Sequence, residues 1–422
     1  MCKSLFCYKK VCFVCTSCLY IDINNMAFAL LCYFAGMKRI VFLCYLLTLA
    51  EVLFAQVNIT GTVVSATDGK PLGFATVFIN NTSKGGTTTE AGAFNIGGVV
   101  PGRYELIASY VGYETVSNFL DVNTADVNIK IALQPKATVL KAFEVKRDPK
   151  REANIKKFKE TFIGKTEFAK TCMITNDEIL DIGYDNGEQA LKASTDDYLV
   201  IVNEALGYKI RFLLKQYVNS DRDHMISYYG YAFYESMTTK KKAQLRRWTA
   251  NREAVFHGSS LHFFRSLIKG DTEGEGFVVN EVVRRPRQRG YVKDTIVKNG
   301  KIMLNRDAYS DDSNYVNYRM PTPLRPVDLM KPSDSLEDKY DLHCENMLLV
   351  SYTKELEANK YAKLMGRMPR QQESMIRFMQ PDCTFSKDGV CVNPLAMIYS
   401  GYWGWEKLAD QVPYDYVSTA VK

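Results

Sequence analysis

Residues 59–113 run through Gly61, Asp68-Gly69, Pro71-Leu72, Ala75, Val77, Gly85, Thr87-Thr88, Gly92, Phe94, Pro101-Gly102-Arg103-Tyr104 and Gly112-Tyr113, turn residues set at strand-length intervals through alternating apolar runs. Proline presets φ and glycine tolerates positive φ, so Asp68-Gly69 and Pro101-Gly102 each mark a reversal of the chain. Thr76 to Asn80 places Val77, Phe78 and Ile79 between polar ends. Tyr104, Leu106, Ala108 and Tyr110 alternate with Glu105, Ile107 and Ser109 at the two-residue period of a sheet. Several short strands with turns between them predict a β-sandwich. The glycines shape backbone here: Gly85-Gly86 is not followed by the lysine-serine pair of a phosphate-cradling loop.

The chain has 422 residues, enough for two or three domains, and its 46% hydrophobic content suits packed cores rather than disorder. A formal charge of +7 is modest at this length, and basic residues are interspersed with acidic ones, which argues against a nucleic-acid-binding stripe. Near the start, Met37-Lys38-Arg39 opens a charged region, residues 40–50 form an apolar run, and Leu53-Phe54-Ala55 precedes Gln56 as a cleavage site. We read residues 37–55 as a secretory signal peptide, although Leu53 is bulkier than usual before a cut and Glu51 interrupts the apolar run. Cys44 follows Phe42-Leu43 without the small residue a lipid-anchor signal requires. Residues 1–36 read as an upstream extension; Cys12, Cys15 and Cys18 give two Cys-x-x-Cys spacings with no histidine or second pair to complete a zinc site. Neither the apolar run at 40–50 nor the apolar residues 27–34, which read with it as a longer leader in the rival view, reaches the length of a membrane span, so the mature chain is expected to lack one. Removal of residues 1–55 leaves four cysteines, Cys172, Cys344, Cys383 and Cys391, and lowers the charge to +4. Cys383 and Cys391 flank the turn Ser386 to Gly389, which leaves open a cross-strand disulfide in an oxidising compartment.

Beyond residue 134 the pattern changes. Residues 137–145 read as extended, then residues 146–159 are heavily charged, with Ile155, Phe158 and Phe162 at helical spacing. Residues 135–163 are therefore a linker that becomes a helix. Residues 164–422 do not repeat the first module and mix strand and helix signals, as expected of a separate α+β domain. Strands are predicted at 199–202, 209–214 and 224–236, with a turn at Leu206-Gly207-Tyr208, and helices at 240–252 and 260–269.

Two of the four histidines fall in one stretch, where Trp248 and Arg252 precede His257-Gly258-Ser259-Ser260 and then His262 and Arg265. His257 or His262 with Ser259 forms a candidate base and nucleophile, with Arg265 as a charged neighbour, but no Gly-x-Ser-x-Gly elbow is present and no acid is placed to orient the imidazole. The plainer reading makes Ser259 or Ser260 the N-cap of the next helix and lets Arg265 pair with a carboxylate elsewhere. Zinc-peptidase chemistry requires closely spaced His and Glu ligands, and neither His-x-x-Glu nor His-Glu-x-x-His occurs. His343, Cys344 and Glu345 are adjacent, so on a strand they alternate between faces. Near the end, Tyr402, Trp403 and Trp405 form an aromatic cluster that reads either as a contact patch or as core.

Residues 57–134 resemble the carboxypeptidase-regulatory-like module, a prealbumin-like sandwich that opens many secreted proteins of the Gram-negative envelope. The remainder looks like the uncharacterised region found after it, through Cys172 to Asn176, Leu206 to Ile210, Tyr228 to Gly230, Gly258 to Ser266 and Gly401 to Trp405. This resemblance implies an architecture rather than an activity, because the module accompanies enzymes and receptors alike. The expected fold is an N-terminal all-β prealbumin-like sandwich followed by a separate α+β domain. The expected function is noncatalytic: an exported protein of the periplasm or outer-membrane surface that needs no cofactor or metal. Its expected partner is an envelope protein or glycan, with peripheral membrane association open and no nucleic acid. The alternative is a hydrolase of envelope peptide or glycan that assembles His257, Ser259, His262 and Arg265 in three dimensions.

Overall fold

Alternation along the first strand builds the first layer. In a computed structural model describing residues 57–136, 150–286, 295–298, 301–304, 308–312, 314–333 and 339–419, β1 (Val57–Ser65) is flanked by β4 (Ala93–Val99) and by β7 (Val127–Leu133), which it pairs in parallel from Ile59↔Val127 to Ser65↔Leu133. β2 (Thr76–Ile79), β3 (Gly85–Thr87), β5 (Gly102–Ser109) and β6 (Val116–Val122) form the second layer, in the order β3-β2-β5-β6. Ile59, Val63, Val77, Ile79, Leu106, Ala108 and Ile131 are buried, as period-two alternation requires. Gly61 is needed for close approach: a Cβ there would lie 1.9 Å from the Ile129 carbonyl oxygen. The signal peptide, the Cys12-Cys15-Cys18 spacing and residues 137–145 lie outside the described residues.

The three consecutive apolar residues of β2 have a structural reason. Val77 and Ile79 face the sandwich interior, whereas Phe78 faces outward and is still fully buried, as is Ile107 on β5. Both lie under a second sheet, in a cluster with Leu213, Tyr231 and Phe233. The Phe78 and Phe233 rings stack at 5.3 Å. The sheet comprises β8 (Cys172–Ile174), β9 (Asp181–Asp185), β10 (Ala190–Ser194), β11 (Leu199–Asn203), β12 (Tyr208–Ser220) and β13 (Met225–Ser236), with β13 paired along β12 from Tyr208↔Ser236 to Ser220↔Met225. The turn after β2 adds to β13: the Asn81 amide donates to the Ala232 carbonyl, the Tyr234 amide donates to the Thr82 carbonyl, and the Asn80 side chain accepts from the Ala232 amide. The described residues from Asn58 onward belong to one compact unit.

Helix α1 (Arg151–Phe162) places Phe158 and Phe162, both fully buried, against Phe212, Tyr217 and Tyr228 of the second sheet. Helix α2 (Lys242–Phe256) caps the Leu206–Tyr208 turn. The Trp248 indole donates to the Glu204 carbonyl, and the Arg252 guanidinium donates to the Leu206 and Gly207 carbonyls while lying 4.0 Å over the Tyr208 ring. Helix α3 (Ser260–Lys269) and the short α4 (Thr272–Glu275) lead into a third sheet. It contains β14 (Phe277–Pro286), β17 (Ala308–Asp312), β18 (Tyr315–Pro323), β21 (Met347–Leu356), β22 (Gln371–Phe378) and β24 (Met397–Gly401), in the order β17-β18-β14-β21-β22-β24. Between these in the chain come a hairpin of β15 (Thr295–Lys298) and β16 (Lys301–Leu304), and a small sheet of β19 (Met330–Pro332), β20 (Lys339–His343) and β23 (Asp382–Ser386). Phe263, Phe264 and Leu267 of α3 pack with Phe277, Val350, Ile376 and Phe385.

The disulfide that the hairpin spacing left open is not formed. Cys383 and Cys391 are not joined by a disulfide. The reversal at residues 386–389 exists, but its register sets Phe385 opposite Cys391, so Cys383 lies two positions along the strand and its thiol turns toward the Ala396 carbonyl at 3.9 Å. Among the described residues no helix is long and apolar enough to cross a membrane.

Gly207 adopts φ +68°, and a Cβ there would stand 2.3 Å from the buried Trp248 indole. Gly207→Ala is therefore expected to lower stability by about 2–4 kcal/mol, read as a drop in the urea midpoint with an unchanged slope.

Candidate functional site

The junction of α2 and α3 brings the two histidines of the motif together. The His257 amide closes α2 on the Glu253 carbonyl, Gly258 reverses the chain at φ +79°, and Ser259 becomes the N-cap of α3, its side chain accepting from the His262 amide at 3.2 Å. The imidazoles stand 5.2 Å apart, edge to face. His262 is 5% exposed and packs against Phe256 and Phe277. Its Nδ1 accepts from the Gly258 amide at 3.2 Å, which leaves Nε2 to carry the proton toward Glu275 Oε2 at 3.4 Å. Burial first, then the neighbouring His257, pushes the His262 pKa down to about 4, against the opposing pull of Glu275.

Glu253 lies on the other side of His257, 3.4 Å from its Nε2. Burial raises the Glu253 pKa, but hydrogen bonds from Ser418 and Thr419 outweigh it and hold the carboxyl down to about 2. Glu355 also faces His257. Its carboxyl is raised by burial, against the opposing effects of His257 and of a hydrogen bond from Gln372. Carboxylates thus do lie near the imidazoles: Glu253 sits four residues before His257 at the end of the same helix, while Glu275 and Glu355 arrive from later parts of the chain.

The remaining residues of the motif serve the frame. The Ser259 hydroxyl donates to the Phe256 carbonyl at 2.6 Å, so its hydrogen is engaged by the backbone. Arg265 was expected to pair with a carboxylate; instead its guanidinium donates to three carbonyls, those of Asp388 at 3.0 Å, Tyr416 at 2.7 Å and Tyr414 at 2.7 Å. The aromatic cluster meets the same turn. In the short helix Tyr402–Trp405, Trp403 is buried and its indole donates to the Gly258 carbonyl at 2.7 Å, Tyr402 is buried, and the half-buried Trp405 packs on Tyr361 and Tyr402.

A second feature has no counterpart in the sequence motifs. A cleft of about 460 Å³ opens on the third sheet, lined by Val282, Arg284, Tyr315, Glu345, Asn346, Met347, Arg377 and Phe378. The Arg284 guanidinium lies 4.6 Å over the Tyr315 ring, and Asn346 is held by its amide on Glu281 at 2.7 Å. His343, Cys344 and Glu345 do alternate: Cys344 is buried, while its two neighbours are exposed and Glu345 reaches the cleft. The lining comes from four separate stretches of chain, so no local spacing could reveal it. Among the described residues no group of three or more His, Cys, Asp and Glu is arranged to hold a metal ion.

Comparison with known proteins bears on the sandwich. Residues 59–145 match the model of the CarboxypepD_reg-like domain family, and the N-terminal β-sandwich is such a domain. No curated protein matches the chain. Among solved structures, a membrane-associated protein of unknown function from Bacteroides fragilis is 14% identical, covering 63% of this chain and 95% of its own at a TM-score of 0.16. A form of the major pilin subunit of Bacillus cereus is 8% identical, covering 78% of this chain and 95% of its own at a TM-score of 0.16. A Ca²⁺-stabilized, ice-binding adhesin of an Antarctic bacterium is 10% identical, covering 83% of this chain and 86% of its own at a TM-score of 0.12. At these scores the likenesses carry no argument about fold or function.

Two expectations follow from the turn. Because the folded pKa of His262 lies below its ordinary value of 6.5, its contribution to stability is complete above that value and is lost as pH falls toward 4. Urea unfolding at pH 7.5 and pH 4.5 should therefore show His262→Gln losing about 2 kcal/mol less than the parent between the two. Arg265→Lys cannot reproduce the planar fork on three carbonyls and should destabilise by about 2–3 kcal/mol at either pH, read by the same unfolding curves.

Proposed function

We propose that the protein is an exported, noncatalytic component of the cell envelope that binds a carboxylate-bearing partner, protein or acidic glycan, through the cleft of the third sheet. The observation that carries this reading is the lining of that cleft. Arg284 and Arg377 bring two guanidinium groups to a concave surface that also offers Tyr315 and Phe378. Guanidinium forks match carboxylates bidentately, and aromatic faces supply area with little entropic cost. Export rests on the signal-peptide pattern of residues 37–55, and placement at the periplasm or outer-membrane surface rests on the module that follows it. The sandwich serves in this reading as a spacer and support.

The hydrolase reading retains one favourable observation, the approach of His257 and His262 to each other and to Glu253 and Glu275. It is weakened by the engagement of the Ser259 hydroxyl and of Arg265 with backbone carbonyls.

Capture from envelope fractions with the purified protein tests both. Arg377→Glu is expected to lower recovery of a bound protein or acidic glycan at least about tenfold without shifting the thermal midpoint, since like-charge juxtaposition opposes a carboxylate. Recovery equal to the parent's would overturn the cleft as the binding surface. Cleavage of envelope peptide or glycan that disappears in His257→Ala would replace this reading with the hydrolase.

A further inference from the structure

The connection between β21 and β22 is built to hold an apolar tip away from the protein. Its neck, residues 357 and 370, is closed by the Glu357 amide donating to the Arg370 carbonyl at 2.8 Å. The Glu357 carboxylate, in a residue 3% exposed, is gripped by both terminal nitrogens of Arg367 and by the Arg370 amide. Inside the loop Tyr361 and Ala362 are buried, and the one-turn helix Asn359–Leu364 ends in closing bonds from the Met365, Gly366 and Arg367 amides to the Tyr361, Lys363 and Ala362 carbonyls. A loop braced in this way cannot fold its outer end back onto the core. At that outer end Leu364 is 69% exposed, Met365 49% and Met368 84%.

The charges around the tip are of one sign. Residues 357–370 contain Lys360, Lys363, Arg367 and Arg370 but a single acid, Glu357, and that acid is buried. Arg367 is spent on Glu357 and Arg370 shares Glu373 at 2.6 Å; Lys360 is exposed and donates to the Lys165 carbonyl, and the exposed Lys363 completes the cations of the rim. An apolar tip above a basic rim has the chemistry of an element that sits in a bilayer interface, with apolar side chains below the headgroups and ammonium groups among anionic ones.

We propose that the loop tip of Leu364, Met365 and Met368 inserts into the interfacial layer of an anionic lipid bilayer, with Lys360 and Lys363 over the headgroups. This does not depend on what the cleft of the third sheet binds. Co-flotation of the purified protein with vesicles tests it, comparing mixed phosphatidylglycerol and phosphatidylcholine with phosphatidylcholine alone. The parent is expected to float with the anionic vesicles. Leu364→Asn with Met368→Asn should lower that partition at least about tenfold. Lys360→Glu with Lys363→Glu should lower it by a similar factor on anionic vesicles only, and added salt should do the same. In Met368→Trp, indole emission should shift to the blue on addition of anionic vesicles. All the altered side chains are exposed, so the variants should keep the parent's circular dichroism. Absence of binding to anionic vesicles, or partition insensitive to the tip substitutions, would overturn the proposal. So would a parent dimer in sedimentation that the tip substitutions dissociate, since a second copy would then be what covers the tip.

Discussion

The guanidinium of Arg265 on the carbonyls of Tyr414 and Tyr416 is the interaction on which the assembly of the layers most depends. It fixes the final described stretch, residues 408–419, as a strap across the other parts. The Ala409 amide donates to the Ile163 carbonyl and the Ala409 carbonyl accepts from Asn203, which joins α1 to the second sheet. The Tyr414 amide donates to the Asn81 carbonyl, and Asp415 accepts from the amide and hydroxyl of Ser83, which joins the strap to the sandwich. Ser418 and Thr419 then end on Glu253 of α2. Irregular backbone can run over packed layers only if its polar groups find partners, and here one half-buried cation satisfies two of the strap's carbonyls at once.

The same economy explains the histidine turn. A sharp reversal between two helices leaves several amides and carbonyls without helical partners. Ser259 and the His262 ring satisfy those of the turn itself, and the Trp403 indole satisfies the Gly258 carbonyl from the short helix after β24. The Ser259 hydroxyl and the His262 Nδ1, groups that suggest catalysis in one dimension, are here engaged by helix termini. What distinguishes the two uses is whether the hydroxyl hydrogen and the imidazole nitrogens point at each other or at backbone, and spacing alone carries no information about that.

Much of the architecture was legible because it depends on local periodicity and turn chemistry. The strands predicted at 199–202 and 209–214 are found as Leu199–Asn203 and the first half of Tyr208–Ser220, and the helix predicted at 260–269 is found as Ser260–Lys269 with Ser259 as its cap. The length of β12 was missed: Lys215 and Gln216 break the apolar alternation at the position where the pairing with β13 also slips. The absence of a Cys383–Cys391 disulfide was a matter of register, which depends on turn geometry to within a single residue.

By itself the sequence determined the sandwich, the helix that carries Phe158 and Phe162, the strands at 199–202, 209–214 and 224–236 with the two helices after them, and a serine cap for α3, because each follows from side-chain period, proline and glycine dihedrals, or a hydroxyl placed before a helix. Only the tertiary structure decided that Phe78 is covered by Phe233, that Arg265 holds the strap rather than a carboxylate, and that Arg284, Tyr315 and Arg377 meet in one cleft. Those outcomes depend on which surfaces approach across long separations in the chain. That approach is governed by the fit of whole layers, and no residue pattern within a single element encodes it.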